Sequence, residues 1–184
     1  MVGLCALLIG CGGSPTSNHA ANPNAPEKNP PGDIPDTQVY VPYAAPGGGY
    51  VIKVPEGWSR RTSGAAVIFT ANLNSVRLQS RAARAPVTVA HARAQLSRLA
   101  RTVRGFQRPG SVGTVLRPAG TAVKITYLAA GARNPVTGKA VTDAVETYLF
   151  FHRGREVIVT LSGPKGADNV DPWRTITGSL RWKA

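Results

Sequence analysis

Two thiols, three imidazoles and twenty-two lysine and arginine side chains are the reactive groups of this 184-residue chain. Cys5 and Cys11 both lie in the first eleven residues, so the rest of the chain offers no disulfide, thiol nucleophile or thiolate metal ligand. A nucleophile, base and acid set needs a histidine within hydrogen-bond reach of the nucleophile. The histidines here are scattered: His19 in a Pro/Asn-rich stretch, His91 on a helix flank away from the apolar stripe, His152 at a hairpin end. No G-x-S-x-G occurs. "TGKA", Thr137 to Ala140, has the lysine of a phosphate loop but lacks the upstream glycine and the hydroxyl that would reach a magnesium ion, so it reads as a turn. Asp168, Asn169 and Asp171 fall short of a calcium loop's ligand count. The expectation is a protein that is not an enzyme, with no metal site and no cofactor. Anion binding is the chemistry that remains. Arg93, Arg98, Arg101 and Arg104 recur along one predicted helix. In "GPKGADNVD", Gly163, Lys165 and Gly166 lead from a strand into a helix N-terminus, where backbone N–H groups can meet an anion. Plainer readings stand beside both: a solvated helix face, and a turn whose donors Asp168 and Asp171 already satisfy.

The charge is unevenly placed. The formal net charge is +13, yet up to Ala45 the chain carries Glu27, Asp33 and Asp36 against Lys28 alone. Between Gly57 and Thr142 there are 14 bases and no acid. Such a field attracts anionic lipid, anionic wall polymer or nucleic acid and does not choose among them. Arg- and Ala-favouring codons in a GC-rich genome give the same excess with no partner at all. Aromatic residues are not interleaved with the Arg-rich segment, where Phe69 and Phe106 stand apart, so a base-stacking platform is not evident. Oligomeric state leaves no mark in the sequence.

The elements that must position these groups follow from periodicity. "YVIKV" alternates Tyr50, Ile52 and Val54 and stops at Pro55 and Gly57. "AAVIFTA" and "SVRLQSRA" form a strand pair across a turn at Asn72 to Asn74. Thr88 or a neighbour caps a helix whose Val89, Ala92, Leu96, Leu99 and Val103 fall within about 80° of one another, with the arginines opposite. "SVGTVL" is a short strand. "TAVKITYLAA", "AVETYLFFH" and "EVIVTLS" are three longer ones, joined by "RNPVTGK" and by a turn at Gly154 into an antiparallel meander. Asp171 is placed as N-cap of a terminal helix, with Pro172 at its first position and Trp173 and Ile176 on its buried side. Strands with an inserted and a terminal helix argue α+β, helices on an antiparallel sheet.

"LLIGC", Leu7 to Cys11, resembles the lipobox of bacterial lipoproteins. That resemblance implies that residues 1–10 are a signal peptide, that the Cys11 thiol receives a diacylglycerol and later palmitate-class acyl chains, and that the protein sits lipid-anchored on the extracytoplasmic face of the cell membrane. "MVGLCALLIGC" lacks the basic n-region of a secretory signal, so the true start is expected upstream of Met1. Residues 11–45, rich in Pro, Asn, Gly and Ala, read as a tether with a reach on the order of 25 to 30 Å. The folded domain is expected over 46–184.

"VIKVPEGW", the helix, the long hairpin, "VTLSGP" and "NVDPWRTITGSLRW" together resemble the PsbP-like fold of photosystem extrinsic subunits and of actinobacterial lipoproteins of the LpqN type. The resemblance implies an α/β/α sandwich around a central antiparallel sheet and brings no catalytic residues with it. The function it supports is a non-catalytic binding or accessory module of the envelope, its basic surface turned to anionic lipid, wall polymer or an envelope protein. The alternative is a small-ligand carrier or enzyme using a cleft on the sheet.

Overall fold

The computed structural model describes residues 31–47, 49–134 and 137–183. A long antiparallel sheet organises the molecule. In chain order its strands are β3 (Ser59–Ser63), β4 (Ala66–Ala71), β5 (Asn74–Ala82), β6 (Gln107–Arg117), β7 (Gly120–Arg133), β8 (Ala140–His152) and β9 (Arg155–Pro164); in space they run β3-β4-β5-β9-β8-β7-β6. The β7-β8-β9 meander is the one expected, and all its pairings are antiparallel. A three-stranded sheet of β1 (Tyr40–Ala44), β2 (Tyr50–Pro55) and β10 (Arg181–Trp182) has β2 at its centre. The helices are α1 (Val89–Thr102) and α2 (Val170–Gly178). The α+β class holds, with strand far outweighing helix.

Period-two alternation sends each strand's side chains to two different layers. One face of the long sheet contributes Val76, Leu78, Ala122, Tyr148, Phe150, Val157, Val159 and Leu161 to the larger core, closed by Ile52 and Val54 of β2 and by Trp173, Ile176 and Leu180 of α2 and its exit. At about 2 kcal/mol for each large side chain taken out of water, this layer dominates the stability. The other face contributes Val123, Ile125 and Leu149 to a smaller core beneath Ala92 of α1. The layer on the α2 side is thus a mixture of short sheet and helix rather than helix alone.

Helix α1 begins as its sequence demands. Thr88 has extended backbone and its Oγ1 accepts from His91 N at 3.1 Å, a cap worth about 1 kcal/mol. The helix ends where Gly105, at φ 63°, lets the chain turn under Ala130, whose N–H donates to Arg104 O at 3.0 Å. A side chain at 105 would collide with the Ala130 backbone. Ala92 is buried, whereas Val89, Leu96, Leu99 and Val103 are half-buried, because α1 rests on β6 and β7 near the sheet margin.

Three expectations are corrected. The domain does not begin at Pro46: Ile34 and Tyr43 are buried in the larger core, and β1 pairs along β2 from Tyr40↔Pro55 to Ala44↔Val51. Asp171 is not the N-cap of α2. The cap position is Asn169, Asp171 and Pro172 lie inside the first turn, and Asp171 is exposed and ion-paired with Arg174 at 2.8 Å. Pro172 is still tolerated, because the first four N–H groups of a helix have no partner within it. The turn after β4 is also shorter than expected: Asn74 pairs with Ala71, leaving Asn72 and Leu73 as a two-residue loop with φ 45° and 71°.

Candidate functional site

Arg93, Arg98 and Arg101 project from α1, and Arg104 from the turn after it, on the side away from Ala92; all four are exposed. None of them makes an ion pair among the described residues. The absence of acid from Gly57 to Thr142 explains this locally, since no carboxylate lies on α1 or on the adjoining β6 and β7. Two exposed hydroxyl residues of the helix turn inward on its own backbone, Ser97 Oγ donating to Arg93 O and Thr102 Oγ1 to Arg98 O. The four arginines therefore keep their guanidinium groups exposed, with no ion pair among the described residues.

Lys165 is exposed and does not sit on that helix, but the topology brings it to the end of the sheet where α1 finishes. Its N–H donates to Thr142 O at 2.8 Å; Thr142 pairs with Ala130 on β7; Ala130 N–H donates to Arg104 O. Arg133, bonded to Gly138 O, and Lys139 are exposed at the same end on the β7–β8 hairpin. Arg93 lies on the first turns of α1, towards the other end. In the turn after β9 the N–H groups of Lys165, Ala167, Asp168 and Asn169 donate to Thr142 O, Pro164 O, Asp33 Oδ1 and Ala167 O. Cys11 lies outside the described residues, as do Cys5 and His19. His91 is exposed, and His152 stacks on Trp182 with ring centroids 5.2 Å apart. Among the described residues no group of His, Cys, Asp and Glu could hold a metal ion.

Sequence reasoning missed a cleft of about 290 Å³ between α2 and the sheet, lined by charged and apolar side chains alike. Glu146 stands in it, bridging Lys124 Nζ at 2.5 Å and the hydroxyl of Tyr148, which donates to Glu146 Oε2 at 2.6 Å. Arg117 and Lys124 both lie over the Tyr148 ring, and Arg117 Nε donates to Thr177 Oγ1 at 3.1 Å. Burial, then the hydrogen bond and charge of Glu146, push the Tyr148 phenol far above the ordinary tyrosine range, with Arg117 acting against them. On β8 the apolar Val145, Leu149 and Phe151 share one parity, and Glu146 and Tyr148 on the other were the signal that could have found this cleft. A second, more open hollow of about 460 Å³ lies at the sheet end between the β4–β5 turn, Arg133 and Asp143. Asp143 Oδ1 has no hydrogen-bond partner among the described residues, and burial raises that carboxyl's pKa.

No protein-family model matches the chain, and no curated protein matches its sequence. Solved structures share its fold. A PsbP of Synechocystis aligns with TM-score 0.52 at 13% identity, over 82% of this chain and 98% of that one. The Ran-binding protein Mog1p of Saccharomyces cerevisiae aligns with TM-score 0.51 at 11% identity, over 79% and 96%. A protein of Bacteroides thetaiotaomicron aligns with TM-score 0.52 at 12% identity over 78% of this chain, which spans only 48% of that longer one. At such identities the likeness is one of architecture. The fold is PsbP-like.

Proposed function

We propose that this protein is a non-catalytic binding or accessory module of a bacterial envelope, held at the membrane through lipid on Cys11 and turning a basic surface towards anionic lipid. The observation that carries the reading is the face of Arg93, Arg98, Arg101 and Arg104, exposed and without ion pairs among the described residues. Cations held in the open by a rigid helix attract anionic headgroups at about 1 kcal/mol each near the surface. The diacylglycerol expected on Cys11 carries two chains and anchors stably by itself, and such a patch adds to it by drawing the domain onto the surface. The fold serves as a frame in this reading: a PsbP-like α/β/α sandwich with α1 as its exposed layer. Actinobacterial origin of the LpqN type belongs to the same proposal and rests on the resemblances in the sequence.

The test is co-sedimentation of the full chain carrying Cys11→Ser with vesicles of neutral lipid or of neutral lipid with 30% anionic lipid. Binding should require the anionic lipid and fall steeply as salt shortens the screening length. Equal binding to both vesicles, or to neither, overturns the reading.

The cleft at Glu146 favours a second reading, a carrier of a small polar ligand. Its volume is near the lower limit of ligand pockets, and its charged groups already satisfy one another. The membrane-surface reading is therefore the better supported.

A further inference from the structure

The domain is basic at both ends of its long sheet, so charge alone does not say which end meets a membrane. The place where the chain enters the fold does. Gly32 O accepts from Asn74 Nδ2 at 2.7 Å and from Asn169 Nδ2 at 3.0 Å, and Gly32 is packed against Pro164, the residue before Lys165. The entry point is thus pinned to the sheet end that carries Lys165, Arg104, Arg101, Arg133 and Lys139. The opposite end carries Arg84, Arg153, Arg181 and Lys183, gathered around the Arg155 and Gly49 contact and the stack of His152 on Trp182.

We infer that the Gly32 end, with Arg101, Arg104, Arg133, Lys139 and Lys165 set around the chain's entry, is the surface that docks on anionic lipid headgroups, so that the long strands stand away from the bilayer. This rests on the membrane reading proposed above. Gly32 follows Cys11 by 21 positions, so the end that holds Gly32 is the one joined most directly to the expected anchor. The 14 residues of β7 extend about 45 Å. With the Gly32 end down, the point where the chain enters the fold faces the anchor. Asp33, whose Oδ1 accepts from the Asp168 N–H, the exposed Asp168 and the half-buried Asp143 lie at this end too, so the five cations there are offset in part and remain in excess.

The experiment couples the chain through Cys11, with Cys5 replaced by Ala, to a maleimide lipid in neutral vesicles and in vesicles with 30% anionic lipid, and follows amide hydrogen exchange. On anionic vesicles exchange should slow in 102–107, 133–140 and 165–168 and remain unchanged in 152–155 and 181–183. Replacing Arg101, Arg104, Lys139 and Lys165 by Gln should remove that slowing and, in the unanchored Cys11→Ser chain, weaken vesicle binding by about five-fold for each charge lost. Gln at Arg84, Arg153, Arg181 and Lys183 alters net charge equally and should leave the slowing in place. Slowing at 152–155 and 181–183 instead, or equal loss in both variants, overturns the assignment of this end while leaving the membrane reading standing. No slowing at either end, with no binding of the unanchored chain to anionic vesicles, overturns both.

Discussion

Truncating Asn169 to Ala is the most discriminating change the fold offers. Asn169 is 3% exposed and joins three parts of the chain: its Oδ1 accepts from Ile34 N at 2.9 Å, and its Nδ2 donates to Gly32 O and to Asn74 Oδ1 at 3.0 and 2.9 Å. In Asn169→Ala, Gly32 O keeps its bond from Asn74 Nδ2, but the Ile34 N–H and Asn74 Oδ1 are left without partners in a buried place. At about 1 to 3 kcal/mol for each such group, the expected loss is about 3 kcal/mol, a large share of a stability on the order of 5 to 15 kcal/mol. Urea unfolding followed by tryptophan fluorescence reads this as a midpoint lowered by about 1.5 M, taking a slope of about 2 kcal/mol per M. Asp171→Ala is the control, because it removes the residue that cap statistics favour. That residue is exposed and holds only a surface pair with Arg174, so its loss should cost less than about 1 kcal/mol. The same logic makes a chain begun at Pro46 unstable, since it lacks β1 and leaves the seats of Ile34 and Tyr43 empty. An Asn169→Ala midpoint within error of wild type, or a larger loss from Asp171→Ala, would refute the clamp.

Leu73→Gly should raise stability by about 0.5 to 1 kcal/mol, because a two-residue hairpin turn with both φ positive strains a branched L-residue more than glycine's extra freedom costs; thermal unfolding reads it as a small rise in Tm. Tyr50 is pushed up to about 12 by burial and then by Tyr43, and Tyr148 is raised as well. A folded pKa above the unfolded value of about 10 leaves its stability contribution whole below pH 10 and removes it as pH climbs towards 12. Chemical denaturation at pH 9 and 11.5 should therefore show a falling unfolding energy, with these two phenols resisting ionisation in an absorbance titration until the chain unfolds. Equal stability at both pH values would contradict their burial.

Elements with a strong apolar period were legible in the sequence, and those held by neighbours were not. Helix α1 and the β7-β8-β9 meander follow from the stripe of Val89 to Val103 and from the alternation of Val123 and Ile125. β3, "SRRTS", has no apolar residue; it exists because β4 offers it an open edge. β1 carries Pro42, which argues against a central strand yet is compatible with the edge position it holds. Ile34 is one apolar residue in a polar, proline-rich stretch, and only its partner 135 residues away shows why it is ordered. The arginines of α1 were placed on the correct face by helical spacing alone. The placing of Arg101 and Arg104 at the sheet end that carries Lys165 needed the pairing of β7, β8 and β9, and the Glu146 cleft was hidden because Glu146 and Tyr148 lie on the other parity of β8 from Val145 and Leu149.

Strand β2 is flanked by β1 from the beginning of the fold and by β10 from its end, while Lys53 N–H donates to Ser179 Oγ across 126 positions. An emerging chain can therefore assemble the meander, yet the short sheet has a missing neighbour until Trp182 has been synthesised. Closure is a late and long-range event, which makes folding slow relative to local collapse. A partly made chain stays open at the seam between β2 and its late neighbour, so the bonds that seal the domain are the last to form.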